Sequence, residues 1–177
     1  LAYNNKFIIN AVENFLNIDF LLLFFLIIYV SQKEFKMNFT GEVKKFKKVI
    51  EFFEEKLKYK DFSVLKEIKL NIGYSFYGAC IYPYKCNNFY LIKCRLKKQS
   101  YPNYSSFYIR KKESCLLLKT IMTCDNYFDD MIWVVGHELF HYLRDTRQIE
   151  GKNTEAQANE FGLKCLKEFQ RNHSTTL

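Results

Sequence analysis

The stretch MIWVVGHELFHYL, residues 131–143, decides how this chain is read. Its opening letters are apolar nearly all round, so a helix here has to be buried. Met131, Ile132, Val135, Leu139 and Tyr142 recur at helical spacing. Within that helix lie two of the three histidines of the chain, His137 and His141, four apart, with Glu138 beside the first. A helix advances about 100° per residue, so positions i and i+4 share one face about a turn apart. Both imidazoles can therefore aim at a single ion. Two histidines and a glutamate on such an apolar helix would otherwise cost free energy to bury.

Imidazole nitrogen is a good ligand for zinc, which accepts the tetrahedral geometry of a catalytic site. Glu138 is rotated away from the first ligand. It is badly placed to bind the same ion but well placed to reach a water held there, as a general base must. A third ligand has to come from elsewhere. A histidine six residues beyond His141 would make a metzincin, but that position is Arg147. Glu155 is the favoured ligand, on a further helix brought back by a hairpin over residues 144–153. Asn159, one turn later, can accept from the other ring N–H of a ligand histidine. Glu160, Glu150, Asp145 and His173 compete with Glu155 for the third position. Glu160 also reads as a solvated partner of Lys164 at i+4.

Working outward, Asp125 or Asn126 can cap the helix, with Asp129 favourable in its first turn. Gly151 and Asn153 break the chain. A last helix is predicted over 154–169, with Thr154 and Gln157 as a capping box and Ala158, Phe161, Leu166 and Phe169 facing inward. Upstream, IGYSFYGACIYPY (72–84), NNFYLIKCRL (87–96), SSFYIRKK (105–112) and SCLLLKTIM (114–122) read as strands. A turn is expected at Asn87-Asn88 and another over 111–113. Residues 41–59 read as an amphipathic helix through Val43, Phe46, Val49, Ile50, Phe53 and Leu57. The fold class is α+β: an N-terminal helix, a small, mostly antiparallel sheet, then the HExxH helix and a C-terminal helix that supplies the ligand.

The segment His137-Glu138-Leu139-Phe140-His141, followed by Glu155-Ala156-Gln157-Ala158-Asn159-Glu160-Phe161-Gly162, resembles the compact gluzincin-type metallopeptidases. It is most similar to the ImmA/IrrE family, with the SprT-like proteases second. The likeness covers roughly residues 131–166. The chain departs from the ImmA/IrrE pattern at Phe140, where glycine is usual. The resemblance implies a zincin-like domain over 37–172, with 173–177 a tail, and a zinc-dependent endopeptidase. Its zinc ligands would be His137, His141 and Glu155, and Glu138 its general base. Its substrate would be a protein or peptide, a regulatory protein in the first family and protein attached to DNA in the second. Zincins also place an edge strand beside the active helix, against which substrate pairs. ESCLLLKTIM (113–122) is expected in that position, with Lys119 or Arg110 near the rim.

The charge distribution opens a further reading. The chain of 177 residues carries a net charge of +8, and residues 68–112 contain no acid but nine cations: Lys69, Lys85, Lys93, Arg95, Lys97, Lys98, Arg110, Lys111 and Lys112. Tyr and Phe alternate with them, so the alternative reading is a nucleic-acid-associated SprT-like protein whose basic, aromatic stretch 82–112, with its cations over 85–112, contacts nucleic acid by stacking and phosphate pairing. The same stretch can be a solvated sheet face. At 49% hydrophobic residues the chain is not disordered. None of its six cysteines forms a CxxC pair, which argues against a zinc ribbon. Several lie in apolar runs, as free thiols do, which favours the cytoplasm. The apolar N-terminal segment, residues 1–36, is read three ways: upstream or mis-started sequence, a membrane anchor or signal built on residues 20–30, or a buried helix. Membrane association is expected only if 20–30 is an anchor.

Overall fold

The computed structural model describes residues 36–85, 88–110 and 117–174. The expectations for the apolar run 20–30, for Asn87 and for the turn over 111–113 lie outside the described residues. Strand β1 (Phe39–Gly41) is followed by helix α1 (Lys47–Lys56), β2 (Leu65–Gly73), β3 (Tyr77–Ile81) and a short 3-10 turn (Pro83–Lys85). Then come β4 (Tyr90–Lys97), β5 (Asn103–Arg110), β6 (Leu117–Cys124), α2 (Tyr127–Asp145) and α3 (Glu155–Ser174). The architecture is α+β, with helices against one face of a sheet.

That sheet is mixed rather than mostly antiparallel, which corrects the expectation. Its order is β1-β2-β4-β3. β1 pairs with β2 and β2 with β4 in parallel, and only β3 runs antiparallel, on β4. Parallel neighbours need a crossover, and α1 supplies it between β1 and β2. β2 was not anticipated below Ile72. Its register shifts between Leu65 and Glu67, which breaks the period-two signature of a strand. β5 and β6 form a separate antiparallel pair.

α1 is shorter than the predicted 41–59. Gly41 takes φ +84°, and a Cβ there would fall 2.3 Å from the Leu70 carbonyl oxygen. Glu42 N–H then donates to that oxygen at 2.8 Å. The chain is thus held to β2 before the helix begins. The last helix is longer than predicted. It continues past Phe169 to Ser174, so His173 is helical and its Nδ1 bonds the Phe169 carbonyl at 2.9 Å.

The core lies between the sheet and α2. Ile68 and Leu70 of β2 and Ile92, Cys94 and Leu96 of β4 are buried with Val135, Leu139 and Tyr142 of α2. Burial of this kind contributes about 25 cal/mol per Å² of apolar surface. Phe52 of α1 meets Phe169 of α3 edge-on, ring centres 5.5 Å apart. Asn126 caps α2, accepting from Phe128 N–H at 2.8 Å and Asp129 N–H at 3.2 Å. Among the described residues no helix is long and apolar enough to cross a membrane, and Cys80, Cys94, Cys124 and Cys165 are free.

Candidate metal centre

The apolar stripe of α2 buries it against β3 and β4, and the rotation of the helix then sets His137, Glu138 and His141 at the β3 edge of the sheet. α3 returns alongside. The loop between the helices is fixed by Arg144 of α2, whose Nε donates to the Gly151 carbonyl and whose Nη1 donates to the Ile149 carbonyl at 3.0 Å. Arg147 (φ +58°) and Gly151 (φ +115°) make its two left-handed turns. The return is close because both helices carry glycine at the contact. A Cβ on Gly162 would lie 2.7 Å from the Trp133 carbonyl oxygen, and one on Gly136 would lie 3.2 Å from Gly162 Cα.

This packing delivers Glu155, the first residue of α3, to the two histidines. His137 Nε2 and His141 Nε2 are 3.2 Å apart. Glu155 Oε2 is 3.2 Å from the first and its Oε1 3.4 Å from the second. The ligand-type atoms of all three side chains lie within 4.8 Å of one another. Both histidines are nearly buried, whereas the Glu155 side chain is 77% exposed.

The far nitrogens determine what the near ones do. Asn159 Nδ2 donates to the Tyr108 carbonyl at 3.0 Å, which turns its Oδ1 to His137 Nδ1, also at 3.0 Å. A carbonyl oxygen only accepts, so the His137 proton sits on Nδ1 and the Nε2 lone pair is free. At His141, Asn153 Oδ1 lies 2.6 Å from Nδ1 and Asn153 Nδ2 donates to the Tyr82 hydroxyl at 3.0 Å. A hydroxyl can donate as well as accept, so this partner orients the amide less strictly than a carbonyl does, and in the orientation present the His141 proton sits on Nδ1. Two lone pairs and a carboxylate thus face one point. They repel one another unless a cation or a shared proton lies between them, so this donor set suits a divalent ion with a preference for imidazole. Burial, followed by the neighbouring His141, lowers the His137 pKa and favours the neutral ring that a metal needs.

Glu138 lies on the other flank. Its side chain is buried against β3, where the Cys80 backbone N–H bonds it, and burial pushes its carboxyl up to about 7. Oε1 is 4.0 Å from His137 Nε2. The carboxylate is therefore near the three-ligand cluster without being part of it.

The competitors for the third position are elsewhere. Glu160 pairs with Lys164 at 3.0 Å, and Asp145 accepts from the Tyr90 hydroxyl. Glu150 is exposed in the loop. His173 bonds back to its own helix. The edge strand beside the HExxH helix is β3, not β6, which corrects the expectation for 113–122. Among the described residues β3 and β1 are the two edges of the four-stranded sheet, whereas β6 belongs to the separate hairpin with β5. That hairpin approaches the cluster through β5: Phe107 stacks on Trp133, ring centres 5.2 Å apart, and Tyr108 bonds Asn159.

No protein-family model matches this chain, and no curated protein or solved structure matches it. The chemistry of the site is read from its own geometry.

Sequence reasoning did not find Asn153, Tyr82, Gly78 or Cys80. Gly78 left a signal, since an isolated glycine inside a strand marks close approach of another group. Asn153 was visible only as a helix breaker, and nothing local marks Tyr82.

Proposed function

We propose that this chain is a zinc-dependent endopeptidase with a compact zincin-like domain of the ImmA/IrrE type. The observation that carries the reading is the convergence of the His137 and His141 Nε2 lone pairs with the Glu155 carboxylate, beside a buried carboxylate that is not a ligand. A structural zinc site has no use for Glu138. Its presence favours hydrolysis.

His137, His141 and Glu155 would hold the ion, an N₂O set typical of catalytic zinc with an open position. When bound, zinc supplies Lewis acidity, acidifying a water and polarising a substrate carbonyl. Glu138 accepts the proton of the attacking water and passes it to the leaving amine. A pKa raised toward neutrality suits both halves of that task. Asn153 and Asn159 hold the ring tautomers. β3, an edge of the sheet among the described residues and directly beside Glu138, offers backbone groups on which an extended peptide adds as a further strand. That mode selects unfolded or extended segments of a protein substrate, such as a flexible region of a regulatory protein.

The test is metal content and proteolysis of the full chain, with Glu138→Gln beside the wild type. Stoichiometric zinc in both, with cleavage of an unfolded protein substrate only by the wild type, is expected. Wild-type protein that takes up no zinc, or a Glu138→Gln variant that cleaves at the wild-type rate, refutes the proposal.

A further inference from the structure

The mixed sheet has a second face, turned away from the helices and from the metal centre. Strand register determines what it carries. Lys69 of β2 stands beside Lys93 of β4, and Arg95 and Lys97 follow at alternate positions along β4. All four are exposed. Residues two apart on a strand are separated by about 7 Å, and neighbouring strands by about 5 Å. The cations therefore form a row with one flanking charge rather than a scatter. None of the four has an ion-pair partner among the described residues. The register puts one acid on this face, Glu67, which accepts from Thr40 Oγ1 at 2.8 Å.

Aromatic rings stand beside the middle of this row, at Arg95. Tyr77 of β3 is opposite Arg95, whose guanidinium lies 5.8 Å from the ring centre. Arg95 is also braced by the β2–β3 turn, donating to the Ser75 carbonyl at 3.2 Å and to Ser75 Oγ at 2.7 Å. Tyr74, in the same turn, is 98% exposed. The turn and the Tyr77 ring account for the position of Arg95, whereas Tyr74 gains no burial from folding.

We propose that this face binds single-stranded nucleic acid, with Lys69, Lys93, Arg95 and Lys97 on successive phosphates and Tyr74 and Tyr77 stacking on bases. A line of cations at alternate strand positions matches an extended polyanion, and rings beside it match unpaired bases. An anionic membrane would satisfy the charges and can take tyrosine rings at its interface, but the single row of cations matches a strand better than a plane, and vesicles are the rival in the test. The inference goes beyond the proteolytic reading and does not depend on it, because it uses the opposite face. It implies that a nucleic-acid strand and a peptide at β3 can be held at the same time.

The experiment is fluorescence anisotropy of the full chain with labelled oligothymidylate and oligouridylate across a range of salt. Phosphatidylserine vesicles serve as the rival surface. The wild type is expected to bind the oligonucleotides with steep salt dependence. K93Q/R95Q/K97Q should bind about tenfold or more weakly, with a log–log salt slope shallower by about 2. K69Q/K93Q/K97Q, which leaves the Arg95 brace intact, should lose affinity comparably. Y74A/Y77A should lose affinity while keeping the slope. K44Q/K47Q/K58Q, which removes the same charge elsewhere, should bind as the wild type does. The proposal fails if the wild type does not bind oligonucleotide at low salt, or if neither face variant weakens binding. It also fails if the distant control loses as much, or if only vesicles bind in a face-dependent way.

Discussion

Gly78 of β3 leaves room for Glu138 of α2: a methyl group on Gly78 would fall 2.4 Å from Glu138 Oε1. The buried carboxylate occupies the space of an absent side chain, held there by the Cys80 N–H. A single glycine in an edge strand thereby sets where the proposed base sits relative to His137.

Gly78→Ala should therefore displace the base without touching the ligand set. A shift of about 1 Å at a reacting group costs on the order of 100-fold in rate. The expected outcome is a loss of that size in peptide hydrolysis, with zinc content and melting temperature near those of the wild type. Unchanged turnover in Gly78→Ala would show that Glu138 does not work from the observed position.

The same burial makes a prediction about pH. The Glu138 carboxyl is raised from 4.5 to about 7 by desolvation. A carboxyl raised on folding contributes stability that is fully present below its ordinary pKa and is lost as pH rises through the folded value. In metal-free protein, Glu138→Gln should match the wild type near about pH 4 and become the more stable of the two by about pH 8. The gap should be on the order of 3 kcal/mol, since each tenfold change in proton affinity between the folded and unfolded chain is worth about 1.4 kcal/mol. Chemical denaturation of both proteins in chelator at the two pH values measures it. A gap that stays flat or narrows with rising pH contradicts the placement of this carboxylate in a desolvated site.

What could be read in advance follows the range of the interaction. His137, Glu138 and His141 are related by one turn of helix, so their convergence is a local fact. Glu155 and Asn159 share a helix face in the same way, and that face needed only a short hairpin to return. Asn153 is different. Its amide reaches His141 because Arg144 draws in the loop carbonyls of Ile149 and Gly151, a path that composition does not encode. The sheet order is more remote still. β6 directly precedes α2 in sequence, but β3 reaches it in space, because β3 turns back antiparallel along the outer side of β4. β1 and β2 escaped notice as a parallel pair because the residues between them read only as a longer helix.

Helix contact should be sensitive at Gly162. A Cβ there meets the Trp133 carbonyl oxygen at 2.7 Å and its ring at 3.1 and 3.2 Å. The nearest of these atoms is backbone, which cannot swing aside. Gly162→Ala should cost about 1–3 kcal/mol, as overpacking does. It should also loosen zinc, because moving α3 moves Glu155. Thermal melting and metal retention read both effects. A variant as stable as the wild type would mean that the two helices are farther apart than the structure places them.

The two asparagines give the sharpest test of the metal reading. Asn159 Oδ1 accepts from His137 Nδ1 and Asn153 Oδ1 from His141 Nδ1. Each fixes the tautomer that leaves Nε2 free, and partners of this type typically contribute 10–100-fold to metal affinity. Asn159→Ala and Asn153→Ala should each weaken zinc by roughly that factor, measured by chelator competition. Glu155→Ala should weaken it further. Glu160→Ala, which removes only the ion pair with Lys164, should leave zinc affinity where it was. Asn159 also ties α3 to β5 through the Tyr108 carbonyl, so its variant alone should in addition free the β5–β6 hairpin, seen as faster amide exchange in Phe107 and Tyr108. If Glu160→Ala lost more zinc than Glu155→Ala, the third ligand would have to be reassigned, and the two-helix geometry on which the hydrolytic reading stands would go with it.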